Sequence, residues 1–159
     1  MAFHTADLCD VHRDYVKVAE SIFTLYGKKR SFHGPIHTVK VFEDNVLVKQ
    51  ALENIPKGSV LVVDGGGSLK CALIGDNLAE IAVTRQLAGV VVYGCIRDCA
   101  QIKQMDIGIY ALGTNPLKSI KQGKGQENIP IQFAGLNFEP GSYLYADEDG
   151  IIVSELKLV

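Results

Sequence analysis

The stretch Val60-Leu61-Val62-Val63 is apolar at every position, and a second such run, Val90-Val91-Val92-Tyr93, follows a helical pattern from about Asp76 to Leu87. Strands that alternate apolar and polar residues keep one face in water, whereas strands apolar throughout must be covered on both faces. A helix between two such strands supplies the long crossover that parallel neighbours require. The pattern predicts a βαβ unit, with a parallel pair of strands at the core of a mixed α/β domain. At 159 residues the chain makes one domain, long enough to bury a core without disulfide or metal staples.

The flanking segments follow other rules. Thr5 is placed to cap a first helix running through Leu8 to about Tyr15, because a Thr hydroxyl can accept an orphan amide of the first turn. Gly27 to Pro35 holds Lys28-Lys29-Arg30, two glycines and a proline, which predicts a loop with a solvated basic triplet, and Ile36 to Phe42 has the β-branched residues of a strand. Val46, Val48, Leu52 and Ile55 recur at roughly helical spacing between Asn45 and Ile55, and Pro56-Lys57-Gly58 ends that helix before a buried strand at Ser59 to Val63. From Ile129 onward, short strands around Ile131 to Phe133, Tyr143 to Tyr145 and Ile151 to Val153, with turns at Pro140-Gly141 and Asp149-Gly150, predict an antiparallel sheet. Asn115 to Asn128, with Lys118, Lys121, Lys124 and two glycines, reads as a mobile surface loop.

Charge and composition exclude several classes of function. Sixteen Lys and Arg against 18 Asp and Glu leave a net charge of −2, which provides no field for nucleic-acid phosphates, so direct nucleic-acid binding is not expected. The longest apolar run, Leu87 to Ile96, is half of the roughly 20 residues a membrane-spanning helix needs, and Met1 to Asp7 has neither a basic start nor an apolar signal core. No membrane association and a cytoplasmic location are the expectations. Cys9, Cys71, Cys95 and Cys99 lack paired Cys-x-x-Cys spacing and read as reduced thiols in or near the core. All four histidines precede residue 38, and the closest pair, His33 and His37, reads as structural rather than metal-binding.

In parallel α/β units, ligands collect beyond the carboxyl ends of the strands. Two segments occupy such places. Gly75-Asp76-Asn77-Leu78 opens the helix between the apolar strands, where either Asp76 or Asn77 caps the helix, or free amides and the positive dipole end hold an anion such as a substrate carboxylate. Gly94-Cys95-Ile96-Arg97-Asp98 follows the strand Val90 to Tyr93, where Arg97 can clamp a carboxylate or enolate oxygen and Asp98 can bind a hard cation, or the two form a structural ion pair. One helix and one strand separate Asp76 from Arg97, so both can reach the same rim of the sheet. The same dipeptide at Arg13-Asp14 follows no apolar strand. Asp64-Gly65-Gly66-Gly67-Ser68 matches neither the phosphate-loop nor the dinucleotide spacing and reads as a tight turn that lets the backbone approach a ligand or a neighbouring chain. No Gly-x-Ser-x-Gly elbow is present, which argues against a serine nucleophile.

Asp7-Leu8-Cys9-Asp10, Val39 to Asn45, Val60 to Ser68 and Tyr145 to Ser154 closely resemble the bacterial regulator of ribonuclease E activity A (RraA) family, and the match runs through nearly the whole chain. The resemblance implies an α/β fold of the swivelling β/β/α sandwich type, with a central mixed sheet and flanking helices, assembled as a homotrimer with sites near the subunit interfaces. One branch of that family binds and inhibits ribonuclease E, which makes that enzyme a candidate partner. The other resembles a class II aldolase that cleaves 4-hydroxy-4-methyl-2-oxoglutarate to pyruvate and decarboxylates oxaloacetate. This chain is similar to the aldolase branch in keeping its Asp-x20-Arg-Asp arrangement as Asp76, Arg97 and Asp98. The resemblance implies that Gly75, Asp76, Asn77, Leu78 and Arg97 contact a small α-keto acid, that Arg97 and Asp98 are catalytic, and that Asp98 holds Mg2+ or Mn2+. Two departures from the longer aldolases, Gln101 in place of an acidic residue and an ending at Val159 without their acidic extension, imply slower turnover while leaving the cation ligand in place.

Overall fold

The computed structural model describes residues 2–159. In chain order the elements are α1 (Thr5–Val11), a 3-10 turn (Arg13–Tyr15), β1 (Lys17–Val18), β2 (Thr24–Tyr26), β3 (Phe32–Lys40), α2 (Val46–Asn54), β4 (Val60–Asp64), β5 (Ala72–Ile74), α3 (Asp76–Thr84), β6 (Gly89–Ile96), α4 (Cys99–Ile102), β7 (Ile109–Thr114), β8 (Gln126–Glu127), β9 (Ile131–Phe133), β10 (Leu136–Phe138), β11 (Tyr143–Asp147) and β12 (Gly150–Ser154). The two apolar runs become the adjacent parallel strands β4 and β6, in register from Val60 opposite Gly89 to Asp64 opposite Tyr93. The large sheet has the order β1-β12-β11-β3-β4-β6-β7-β2, with β5 beside β6 and β8 beside β3, and β9-β10 form a separate hairpin. Its centre is parallel from β3 to β7, and antiparallel strands flank it on both sides.

The two faces of the centre are covered differently. On one face α2 and α3 pack over Val39, Leu61, Val63, Val90 and Val92. On the other, the β9-β10 hairpin and the β11-β12 pair bury Ile36, Val60, Val62 and Val91. Phe133 stacks between Tyr93, at 4.8 Å, and Phe138, at 4.5 Å, so the hairpin is clamped by aromatic rings. A fully buried side chain such as Phe138 stabilises the fold by about 2–3 kcal/mol. The result is the α/β architecture of stacked sheet and helix layers that the resemblance implied.

Several local expectations are corrected. The segment Gly27 to Pro35 is not all loop, because β3 begins at Phe32 and includes Pro35. Residues Phe32 to Pro35 pair antiparallel with β11, while Ile36 to Lys40 pair parallel with β4, so the proline sits where the strand changes its pairing, one of the few places a missing amide is tolerated. The first helix stops at Val11 and continues only as the 3-10 turn to Tyr15, and Thr5 does not cap it. The cap comes from Asp147, whose two carboxylate oxygens accept the Thr5 amide and the Thr5 hydroxyl, each at 2.7 Å. The βαβ helix ends at Thr84 rather than Leu87, since Gln86 turns at φ 56 and drives Leu87 into the core. Of the four cysteines only Cys71 and Cys95 are buried; Cys9 is half-buried and Cys99 is exposed.

The lysine-rich segment 115–128 is tied down rather than loose. Asp44, almost fully buried, accepts the amides of Val46, Gln122 and Lys124, and Lys121 Nζ donates to Asn45 Oδ1 at 2.9 Å. Burial works against the Asp44 carboxylate, but those amides outweigh it and hold its pKa below the ordinary value; Asp147, held by Thr5 and the Asp149 amide, is lowered in the same way. Among the described residues no helix is long and apolar enough to cross a membrane.

Candidate active site

The site forms where β4 leaves the sheet. β4 pairs with β6 only as far as Asp64, and after the glycine turn β5 takes its place, pairing Ala72 with Cys95 and Ile74 with Ile96. The ends of β5 and β6 therefore lie side by side, and the Arg97 amide donates to the Ile74 carbonyl at 2.9 Å. β6 itself runs three residues past Tyr93 to Ile96, across an irregularity between Val92 and Cys95, so Gly94, Cys95 and Ile96 belong to the strand and only Arg97 and Asp98 lie beyond it.

Helix α3 starts directly after β5, with Gly75 at the cap position and no capping bond from its own segment, so neither Asp76 nor Asn77 is the cap. Asp98 performs that task from across the rim, its Oδ2 accepting the Asp76 amide at 2.9 Å. It does so from a left-handed backbone conformation, φ 58 and ψ 38, which an aspartate tolerates better than most residues. Non-glycine residues held in such conformations concentrate at functional sites. Gly75 is required by contact rather than by backbone angle, since a Cβ there would lie 2.7 Å from Asp98 Oδ2 and 3.3 Å from Arg97 Nε. Asn77 is exposed, and the Leu78 side chain packs on the α2-α3 core, which leaves only its amide facing the site. Among the described residues the amides of Asn77 and Leu78 have no protein acceptor.

Arg97 and Asp98 do not pair with each other. Arg97 Nη1 donates to the Pro116 carbonyl at 3.4 Å, and the one ion pair among the described residues is the exposed Arg30–Glu148 contact at 3.0 Å. Within the single chain, then, Arg97 and Asp98 form no ion pair among the described residues. Sequence reasoning missed the Asn115-Pro116 turn after β7, which supplies this carbonyl; an Asn-Pro dipeptide just past a strand was the available signal.

The donor set suits a hard divalent cation. One oxygen of Asp98 holds Asp76, the other has no protein partner among the described residues, and the Asp76 carboxylate likewise accepts no protein hydrogen bond. No cluster of three or more His, Cys, Asp or Glu side chains occurs among the described residues, so a cation here would be held by one or two carboxylates, with water and substrate oxygens completing its shell, as Mg2+ prefers. His33 instead stacks on Tyr145 with ring centroids 5.5 Å apart, consistent with a structural role. The glycine run uses its amides internally: Gly66 donates to Asp64 Oδ1 at 2.8 Å, and Gly65 and Gly67 donate to the Tyr93 carbonyl at 3.1 Å. Its backbone lies close to Tyr93 and Leu73 and, at Gly66, to the Phe42 ring, and among the described residues these amides form no phosphate cradle.

Comparison with known proteins places this arrangement. The family model RraA-like, described as Aldolase/RraA, matches residues 5–153. The chain belongs to the RraA-like family. A relative from Aromatoleum aromaticum, named "Putative 4-hydroxy-4-methyl-2-oxoglutarate aldolase", is 55% identical over 159 residues, covering 100% of each chain. Among solved structures, a chain from Geobacillus kaustophilus named as an S-adenosylmethionine:2-dimethylmenaquinone methyltransferase has a TM-score of 0.97 at 56% identity, covering 98% of this chain and 97% of its own. The RNA-processing inhibitor RraA from Thermus thermophilis has a TM-score of 0.95 at 42% identity, covering 100% and 96%. The two solved structures share this chain's fold, and the three proteins carry three different functional names, so the choice among them rests on the site.

Proposed function

We propose that this chain is a divalent-cation-dependent carbon–carbon lyase that cleaves 4-hydroxy-4-methyl-2-oxoglutarate to pyruvate and decarboxylates oxaloacetate as a second activity. The observation that carries the reading is the convergence of Asp98, Arg97 and the start of α3 on one rim of the sheet, with the outer oxygen of Asp98 left without a protein partner. The name shared by close relatives supports the substrate class.

Both reactions leave negative charge on a pyruvate enolate. Arg97 is placed to meet it with charge-assisted hydrogen bonds, which are worth most where charge develops during reaction. The free Asn77 and Leu78 amides, at the positive end of α3, suit the substrate carboxylate and fix its orientation. Asp98 would hold a Mg2+ or Mn2+ ion, whose contribution when bound is Lewis-acid charge beside the α-keto acid oxygens. Carbon–carbon cleavage of the hydroxy acid also requires removal of a hydroxyl proton, for which water is the available base. Oxaloacetate needs none, and so asks least of the site.

Pyruvate release from each substrate, with Mg2+, with chelator and with Asp98→Ala beside the parent, tests the reading. Cation-dependent release lost in the variant supports it; release no faster than cation alone overturns it. Homotrimer assembly fits the exposed apolar residues Phe42, Leu69, Leu117 and Ile120 close to this rim, and the mass in solution tests it. The end-to-end likeness to the Thermus inhibitor supports a second reading, a regulator that binds ribonuclease E. Failure to retain that enzyme in a pull-down, together with unslowed RNA cleavage, would remove it.

A further inference from the structure

We propose that Asn115 is a positioning residue for Arg97, a role that rests on the reading of Arg97 as the α-keto acid clamp. Asn115 makes three hydrogen bonds to three separate segments. Its amide N–H donates to the carbonyl of Ile96, the residue from which Arg97 leaves the sheet, at 3.0 Å. Its side-chain Nδ2 donates to the Leu69 carbonyl at 2.7 Å, and its Oδ1 accepts the Leu117 amide at 2.8 Å, closing an Asx turn around Pro116. The Pro116 carbonyl at the apex of that turn is the acceptor for Arg97 Nη1. The far side of the turn is anchored as well, because the Leu117 carbonyl accepts the Ala72 amide of β5 at 2.8 Å.

The Asn115 backbone thus holds the strand end that delivers Arg97, while its side chain fixes the turn whose carbonyl receives the guanidinium. The role needs a donor and an acceptor on the same short side chain, which asparagine provides. Arg97 is only half-buried and has no carboxylate partner among the described residues, so without this carbonyl its long side chain would sample several rotamers. Rotamers frozen before substrate arrives do not have to be frozen by it, and the benefit falls on substrate affinity.

The test compares the parent, Asn115→Ala, Asn115→Asp and Asn115→Gln in two measurements. The first is the heteronuclear NOE and solvent exchange of the Arg97 Nε–H, identified with Arg97→Lys, which read guanidinium order without any turnover. The second is the steady-state decarboxylation of oxaloacetate with Mg2+. Asn115→Ala is expected to lower the order of the Arg97 Nε–H and to raise KM about tenfold, with kcat changed no more than about twofold. Asn115→Asp keeps the turn acceptor but loses the Leu69 donor, so it should fall between parent and Asn115→Ala, and it carries the test if the alanine variant does not fold. Asn115→Gln, with the same groups displaced by one methylene, should not rescue. Unchanged Arg97 order in both the Ala and Asp variants overturns the proposal, as does a loss confined to kcat. A parent that shows an ordered Arg97 but releases no pyruvate overturns the lyase reading and leaves the positioning itself decided by the resonance measurement.

Discussion

Gly75→Ala isolates the geometry of the site from the rest of the fold. Gly75 adopts φ −117 and ψ −166, extended backbone that alanine accepts without strain, so the added methyl acts only through what it meets. It would meet Asp98 Oδ2 at 2.7 Å, about 0.7 Å inside ordinary contact at 3.4 Å, and also Arg97 Nε at 3.3 Å. That carboxylate oxygen is not free to retreat, because it caps α3 through the Asp76 amide at 2.9 Å. Displacing it forfeits a helix cap, worth about 1 kcal/mol and a fall of about 2–4 °C in melting temperature for a domain of this size. The chemistry should suffer more, since a misplacement near 1 Å can cost about a hundredfold in rate. The assay is oxaloacetate decarboxylation with Mg2+ alongside thermal unfolding, with Gly113→Ala as the control because open space surrounds that glycine. A Gly75→Ala protein as active as the Gly113→Ala control would refute the contact between Gly75, Arg97 and Asp98 as the organising feature of the site.

Other consequences follow from named contacts. Asp98→Asn keeps an acceptor for the Asp76 amide but removes the charge, so it should melt within about 2 °C of the parent while losing Mg2+-dependent pyruvate release; Asp98→Ala should lose both cap and activity, and equal activity in all three would contradict the cation role. Asp44 has its folded pKa below the unfolded value near 4, so its stabilisation is complete above about pH 4 and is lost as pH falls through the folded pKa. Asp44→Asn should therefore cost about 2–3 kcal/mol at pH 7 in urea unfolding, with the gap to the parent closing below about pH 4 and not at higher pH. Tyr110 is pushed up to about 12, first by burial and then by Asp147, and its hydroxyl donates to the Asp147 carbonyl. Tyr110→Phe should remove the latest-titrating tyrosine from an alkaline absorbance titration, and a persistent component near 12 would show the assignment to be wrong.

Much of the architecture was legible because it follows from local rules. Continuous apolar runs at Val60–Val63 and Val90–Tyr93 admit few structures other than buried parallel strands, and the turns at Pro140-Gly141 and Asp149-Gly150 mark antiparallel segments. The elements that were misread depend on distant partners. Pro35 looked like a loop residue because nothing local shows that a strand can change its pairing there. Lys118, Lys121 and Lys124 looked like a mobile tract because the Asp44 carboxylate that fastens it lies some 80 residues earlier, as its bond to Lys124 spans 80 positions.

The site divides along the same line. The residues that the proposed lyase reading uses, Gly75, Asp76, Arg97 and Asp98, were legible in the sequence, since a carboxylate and a guanidinium just past an apolar strand, opposite a helix start, are chemically informative wherever the chain goes. How they act depended on the tertiary structure. Two helices' worth of local sequence could not reveal that Asp98 caps α3, that Arg97 turns away from Asp98 to the Pro116 carbonyl, or that Asn115 braces both ends of that contact. These three hydrogen bonds join residues 19 to 46 positions apart and form at a rim made where β5 has replaced β4 beside β6, an exchange that is a property of the folded sheet.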